Sequence, residues 1–206
     1  PQTSVDPVIM AASTVLRLQT IVSREIAPLD QAVLTVGSLQ AGTKENIIPD
    51  NATLKLNMRT YDEGVRKHML GAIKRICCAE CSASNAPRDP EITTINRYPL
   101  TVNDERASAR LADAFDAWFG DRAYETAPAA ASEDFSVFGR AWKVPYVFWF
   151  VGCTDPHVYE QAKAQGKINS IPSNHSPQFA PLLHPTLRTG LETMICAAFA
   201  WFGNAE

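Results

Sequence analysis

No apolar run in the 206-residue sequence approaches the ~20 residues that a helix needs to cross a bilayer, and Val144–Val151 (VPYVFWFV) is far too short. A membrane span is not expected, so the chain reads as soluble and cytoplasmic, with no membrane partner. Basic clusters are missing too. A net charge of −3 without a block of Lys or Arg offers nothing to a phosphate backbone, so no nucleic-acid partner is expected. The Gly-x-Ser-x-Gly elbow is absent, which sets aside a serine hydrolase of that type. Cysteine is scarce and odd in number: Cys77, Cys78, Cys81, Cys153 and Cys196 suggest no disulfide framework. That suits a reducing compartment. Three of the five crowd one predicted helix, and no second Cys/His pair follows at zinc-finger spacing. They read as small core or surface thiols rather than as a metal or redox site.

What is present is a globular composition. At 46% hydrophobic and 20% charged, the chain can bury a core in one domain or two. Its organising stretch is Ala41–Thr60, AGTKENIIPDNATLKLNMRT. A turn and an Asn-Ile-Ile-Pro-Asp corner lead into a strand with Leu54, Leu56 and Met58 on one face. Thr53, Lys55, Asn57 and Arg59 lie on the other, the period of two that marks a half-buried strand. Asn46 and Arg59 sit at the two ends of this unit. If they converged, a guanidinium fork and an amide donor would make a carboxylate receptor. A turn Asn and a surface Arg are the plainer reading of the same spacing.

Upstream, Asp6-Pro7 predicts a helix start, with a stripe of Val8, Ala12, Val15, Leu16 and Val22 running to about Glu25. Ala32–Gln40 predicts a strand. Downstream, Thr60 to Glu63 has capping-box spacing before a second helix whose stripe is Val65, Met69, Ala72, Ile73 and Ile76. His68, beside Lys67, reads as solvated. A polar break from Ser82 to Pro90 precedes a further strand, Glu91–Tyr98. One more strand in front would complete βαββαβ, the ferredoxin-like split unit.

The character changes past a hinge near Tyr98–Asn103. Asn103-Asp104-Glu105 caps a helix with the face Leu111, Ala114, Phe115 and Trp118, ending at Gly120. Ser132-Glu133-Asp134-Phe135 follows a small-residue segment. Val144–Val151 reads as a strand buried on both faces, and Gly152–Ser173 as a long polar loop. Asn174-His175-Ser176-Pro177 then precedes a final helix, about Pro185 to Phe202, with Leu187, Leu191, Ile195 and Phe199 along it. This half has too few strands to close a domain alone. The sequons at Asn51 and Asn174 are chance matches in a cytosolic protein.

Five segments, in order, carry a resemblance: PQTSVDP, GTKENIIPD with an Arg thirteen residues past its Asn, YPLTVND, ASEDFS and NHSPQF. Together they resemble the metal-dependent amidohydrolase and carboxypeptidase family, which includes hippurate hydrolase, aminoacylase-like enzymes and auxin-conjugate hydrolases. The resemblance covers essentially the whole chain. It implies a mixed α/β protein: an α/β catalytic domain with a two-metal site, and a ferredoxin-like α+β lid or dimerisation domain inserted into it. Residues 1–98 correspond to the lid without its first strand. Residues 99–206 correspond to the C-terminal part of the catalytic domain.

The resemblance also implies an activity. The full-length enzyme would hydrolyse the amide bond of N-acyl amino acids or small peptides, using water activated by two divalent metals, zinc or else Mn, Co or Ni. It would form a homodimer through the lid. His175 corresponds to the last metal ligand. Asn46 and Arg59 correspond to lid residues that grip the substrate carboxylate, often from the neighbouring subunit. Glu133 and Asp134 would support the metal ligands from behind, although a helix N-terminus capped by Ser132 explains them too. His157 and His184 read as structural. The remaining ligands, the general-base glutamate and a lid histidine are expected upstream of Pro1, since no His-x-Asp, Cys-x-His or Glu-Glu pair occurs here. One imidazole cannot hold a catalytic metal. The isolated chain is therefore expected to be metal-free and inert, a piece of a longer enzyme. The alternative is a non-catalytic dimerisation or binding module derived from the same family.

Overall fold

Asp6 opens the first helix of the computed structural model, which describes residues 2–203. Its carboxylate accepts the Val8 N–H at 2.8 Å, and Pro7 takes the first helical position, where no N–H is required. Helix α1 spans Pro7–Thr20 and continues as a π-helical turn over Ile21–Glu25. Two strands follow, β1 (Ala32–Ala41) and β2 (Ala52–Thr60), and then helix α2 (Glu63–Ala83). The chain divides into two compact units, Pro1–Leu100 and Thr101–Glu206.

In the first unit β1 and β2 form an antiparallel pair, running from Ala32 opposite Thr60 to Ala41 opposite Ala52. The register shifts between Val36 and Ser38, where Gly37 is the extra residue of a bulge. Before the bulge the even positions of β1, Ala32, Leu34 and Val36, face the core. After it Leu39 stands opposite Leu54, so the odd positions share the face of Leu54, Leu56 and Met58. Leu18, Ile21, Leu34, Met69, Ala72, Ile73 and Ile76 close the core against that face. Burying each large member contributes about 1.5–3 kcal/mol.

The α2 stripe is the predicted one, but the α1 stripe is rotated. Ala11, Thr14, Leu18 and Ile21 are buried, whereas Leu16 is 74% exposed and Val8 39%. Thr14 can go inside because its hydroxyl donates to the Met10 carbonyl at 2.8 Å. The start of α2 also differs from expectation. Asp62, not Thr60, caps it by accepting the Val65 N–H at 2.8 Å, because Thr60 is still paired in β2. Across the helix pair, Glu25 receives Arg75 at 2.5 Å and lies 3.4 Å from His68. The Arg75 hydrogen bond holds the Glu25 carboxyl below its ordinary value.

Glu91–Tyr98 is exposed throughout and joins no ladder, contrary to the predicted strand. In a βαββαβ unit the last strand lies beside the first, and the described residues contain no strand ahead of β1. Hydrogen-bonding groups without a neighbour make no sheet. Arg97 ties the segment to α2 through Glu63, at 3.0 Å.

The second unit holds α3 (Glu105–Phe119), α4 (Ser136–Trp142), α5 (Pro156–Ala164) and α6 (Leu183–Phe202). Asp104 caps α3 through the Ala107 N–H, and Gly120 ends it at φ 55°, both as predicted. Leu111 and Phe119 are buried, but Trp118 is exposed. Helix α5 lies inside the expected loop, started by Asp155-Pro156 just as Asp6-Pro7 starts α1. Val144–Val151 joins no strand ladder among the described residues, which corrects its assignment to a buried strand. Its aromatic rings instead cluster: Phe135 against Tyr146 and Phe148, Phe148 against Phe150, and Trp149 against Phe115. Along α6, Leu187, Leu191, Ile195 and Phe199 are all exposed, and the helix meets α3 through other residues, Cys196 near the Ala114 carbonyl and Trp201 under Arg110.

Two glycines give opposite expectations. A Cβ on buried Gly139 would lie 2.0 Å from the Tyr146 ring, so Gly139→Ala must displace that ring. We expect a loss of about 1–3 kcal/mol from overpacking. Gly71 lies within α2 with nothing within 4 Å of its added Cβ. Gly71→Ala should therefore stabilise by about 0.5–1 kcal/mol. Urea unfolding of both variants checks the pair.

Candidate functional site

The β1–β2 hairpin positions the two predicted carboxylate contacts. At its tip Gly42 turns at φ 63°, with Pro49 3.6 Å from where a Cβ would stand. The connection makes a tight turn in which the Ile47 N–H donates to the Lys44 carbonyl at 3.4 Å, and Asn46 is exposed on it. Arg59 lies near the other end of β2, opposite Val33. It is exposed on the face away from the helices, in line with Lys55 and Asn57, and its Nε donates to the Asn57 Oδ1 at 3.3 Å. From Ala52 to Arg59 the strand extends about 24 Å. Asn46 thus lies on the connection at the hairpin's tip and Arg59 near its base.

In the second unit His175 is exposed at a turn in which the Ser176 N–H donates to the Ser173 carbonyl at 3.0 Å. Its φ is 72°, in the left-handed region where a side chain costs about 1–2 kcal/mol and glycine costs nothing. Asn85 and Lys143 share that region, and histidine is among the residues that adopt it more readily. His157 is exposed in the first turn of α5, and His184 precedes Pro185 through a cis bond. Among the described residues no group of three His, Cys, Asp or Glu side chains is placed to hold a metal ion. His175 supplies one donor, so the residues present do not make a metal site by themselves.

Glu133 is engaged locally. One carboxylate oxygen accepts the Thr101 hydroxyl and the other accepts the Phe135 N–H at 2.5 Å. Helix α4 has Phe135 at its N-cap position with no side-chain cap, so the capping role expected for Ser132 is absent. Asp134 is exposed, its carbonyl accepting the Val137 N–H. Asn103, read from the sequence only as part of the α3 cap, has a further role. Its Nδ2 donates to the Phe148 carbonyl at 2.8 Å and its Oδ1 accepts the Phe148 N–H at 2.7 Å. With the Asp104 N–H on the Tyr146 carbonyl at 2.9 Å, the amide side chain serves Phe148 as a neighbouring strand would. The Val-Asn-Asp sequence beside a known cap was the available signal.

Residues 1–84 match the peptidase dimerisation domain of the M20 type. Hippurate hydrolase of Campylobacter jejuni is 35% identical over 72% of this chain and 39% of its own length. An IAA-amino acid hydrolase of Arabidopsis thaliana (ILR1-like 2) is 30% identical over 87% of this chain and 38% of its own. A Bacillus subtilis structure described as a dinuclear metal binding peptidase from the M20 family superposes with a TM-score of 0.68, at 21% identity. That superposition covers 97% of this chain and 46% of the other, and it shows the fold. The chain belongs to the M20 family of amidohydrolases and carboxypeptidases. It spans about two-fifths of the length of the curated relatives it matches.

Asn103→Ala should leave both Phe148 backbone groups without their partner and cost about 1–2 kcal/mol. Asn103→Asp should cost at least as much, because a carboxylate cannot donate to the Phe148 carbonyl. Denaturant midpoints, followed by tryptophan emission from the neighbouring Trp149, test this. Unchanged midpoints for both variants would show that solvent replaces the side chain at no cost.

Proposed function

We propose that this chain supplies the lid and dimerisation domain, and the C-terminal part of the catalytic domain, of a metal-dependent amidohydrolase acting on N-acyl amino acids or small peptides. The observation that carries the proposal is the match of residues 1–84 to the peptidase dimerisation domain; Arg59, beside Asn57 on the helix-free face of that domain's sheet, would turn its planar guanidinium to a substrate carboxylate. His175 would give one ligand of a two-metal site. The other ligands and the general base would come from the part of the enzyme that this chain does not cover.

The hairpin geometry bears on how the substrate would be gripped. Asn46 is carried by the hairpin's tip and Arg59 by its base. A two-fold axis repeats the same patch in opposite direction. Antiparallel apposition at a sheet edge would then set the hairpin tip of one protomer beside the hairpin base of its partner. In that arrangement one protomer's Asn46 and its partner's Arg59 would serve one substrate. A second reading is a non-catalytic dimerisation module derived from the same family.

Arg59→Lys separates these readings in the full-length enzyme. It keeps the charge but loses the planar fork, so kcat/KM for an N-acyl amino acid should fall by about 1.5–3 kcal/mol of transition-state binding. The wild type should already cleave the matching amide without a free carboxylate slowly, and the variant should cleave it hardly more slowly. Equal losses on both substrates would make Arg59 a lid-supporting residue. No turnover of any amide by the wild type would favour the module.

A further inference from the structure

The last two turns of α2 carry Cys77, Cys78 and Cys81, all free and half-buried. Cys81 is four residues from Cys77 and three from Cys78, so it neighbours both along the helix surface with Cβ separations of about 5–6 Å. A disulfide needs about 3.5–4.5 Å between Cβ atoms. Helical spacing therefore sets these Cβ atoms farther apart than a direct S–S bond ordinarily spans. The same spacing suits a bridge longer by one large atom, sulfur to heavy atom to sulfur.

Unwinding to shorten the gap is opposed by the way α2 ends. The Ser84 N–H donates to the Glu80 carbonyl at 3.0 Å and the Ala86 N–H to the Cys81 carbonyl at 2.9 Å, while Arg17 lies 3.4 Å from the Glu80 carboxylate. Burial pushes the Cys77 and Cys81 thiols up, helped by the neighbouring cysteines and, at Cys81, by Asp89. Such thiols stay protonated and react poorly with peroxide, which needs thiolate. Among the described residues no three-donor group is placed for a closed metal cage.

We propose that Cys81, together with Cys77 or Cys78, forms a chelating dithiol site on α2 for trivalent organoarsenicals. The reaction needs no oxidant. Two As–O bonds of an arsonous acid break, two As–S bonds form, and each thiol proton leaves with a hydroxide as water. Arsenic stays trivalent throughout.

The test titrates the 206-residue chain with phenylarsine oxide, which hydrates to phenylarsonous acid, in excess glutathione. A monothiol reverses attachment to a single cysteine but competes poorly with a chelate. The expected result is one adduct per chain by intact mass, the loss of two of the five titratable thiols, unchanged far-UV helicity, and release by 1,2-ethanedithiol. Cys153→Ala and Cys196→Ala should keep the adduct, and both Cys81→Ala and Cys81→Ser should abolish it. Peptide mapping of the wild-type adduct needs no variant and should place arsenic on the segment 77–81. Arsenic mapped elsewhere, an adduct surviving in the Cys81 variants, no adduct in the wild type, or helicity lost on binding would each overturn the proposal.

Discussion

The first unit depends on one packing relation, α1 and α2 closing over a single face of a two-stranded sheet. Leu18 and Ile21 on one side and Met69, Ala72, Ile73 and Ile76 on the other use up that face. The opposite face keeps its polar residues Lys55, Asn57 and Arg59, and a two-stranded sheet has an unpaired edge on each strand. Unpaired edges invite another strand. One act of burial thus both stabilises the unit and defines where association and substrate contact would take place.

The second unit solves a different problem, an aromatic run without a sheet around it. Asn103 and the Asp104 N–H stand in for a neighbouring strand at Tyr146 and Phe148, and edge-on ring contacts hold the cluster. Glu133 adds a tie between Thr101 and the entry to α4. Four apolar residues along α6 remain exposed, a contiguous feature of the kind that marks an interaction surface. Within the proposed enzyme, these exposed residues would be covered by the rest of the catalytic domain.

Much of this was legible in the sequence because local chemistry and tertiary packing agree. Asp-Pro starts helix α1, the alternation of β2 survives in its burial, and the α2 stripe is the core stripe; the same Asp-Pro signal at α5 went unread inside a polar stretch. The misses have physical causes. In α1 several apolar faces were available and packing chose the one through Ala11, Leu18 and Ile21. Glu91–Tyr98 and Val144–Val151 have strand-forming residues, but strands are made by neighbours that composition does not reveal. The left-handed backbone of His175 had no signature in Asn-His-Ser-Pro.

Sedimentation equilibrium of the 206-residue chain across the micromolar range tests the central claim most directly, because the free sheet edge and the match to a dimerisation domain make the same demand. The account predicts twice the monomer mass, returning to one mass when a proline is placed on a paired-edge position of the hairpin. A chain that stays monomeric at high micromolar concentration would contradict it.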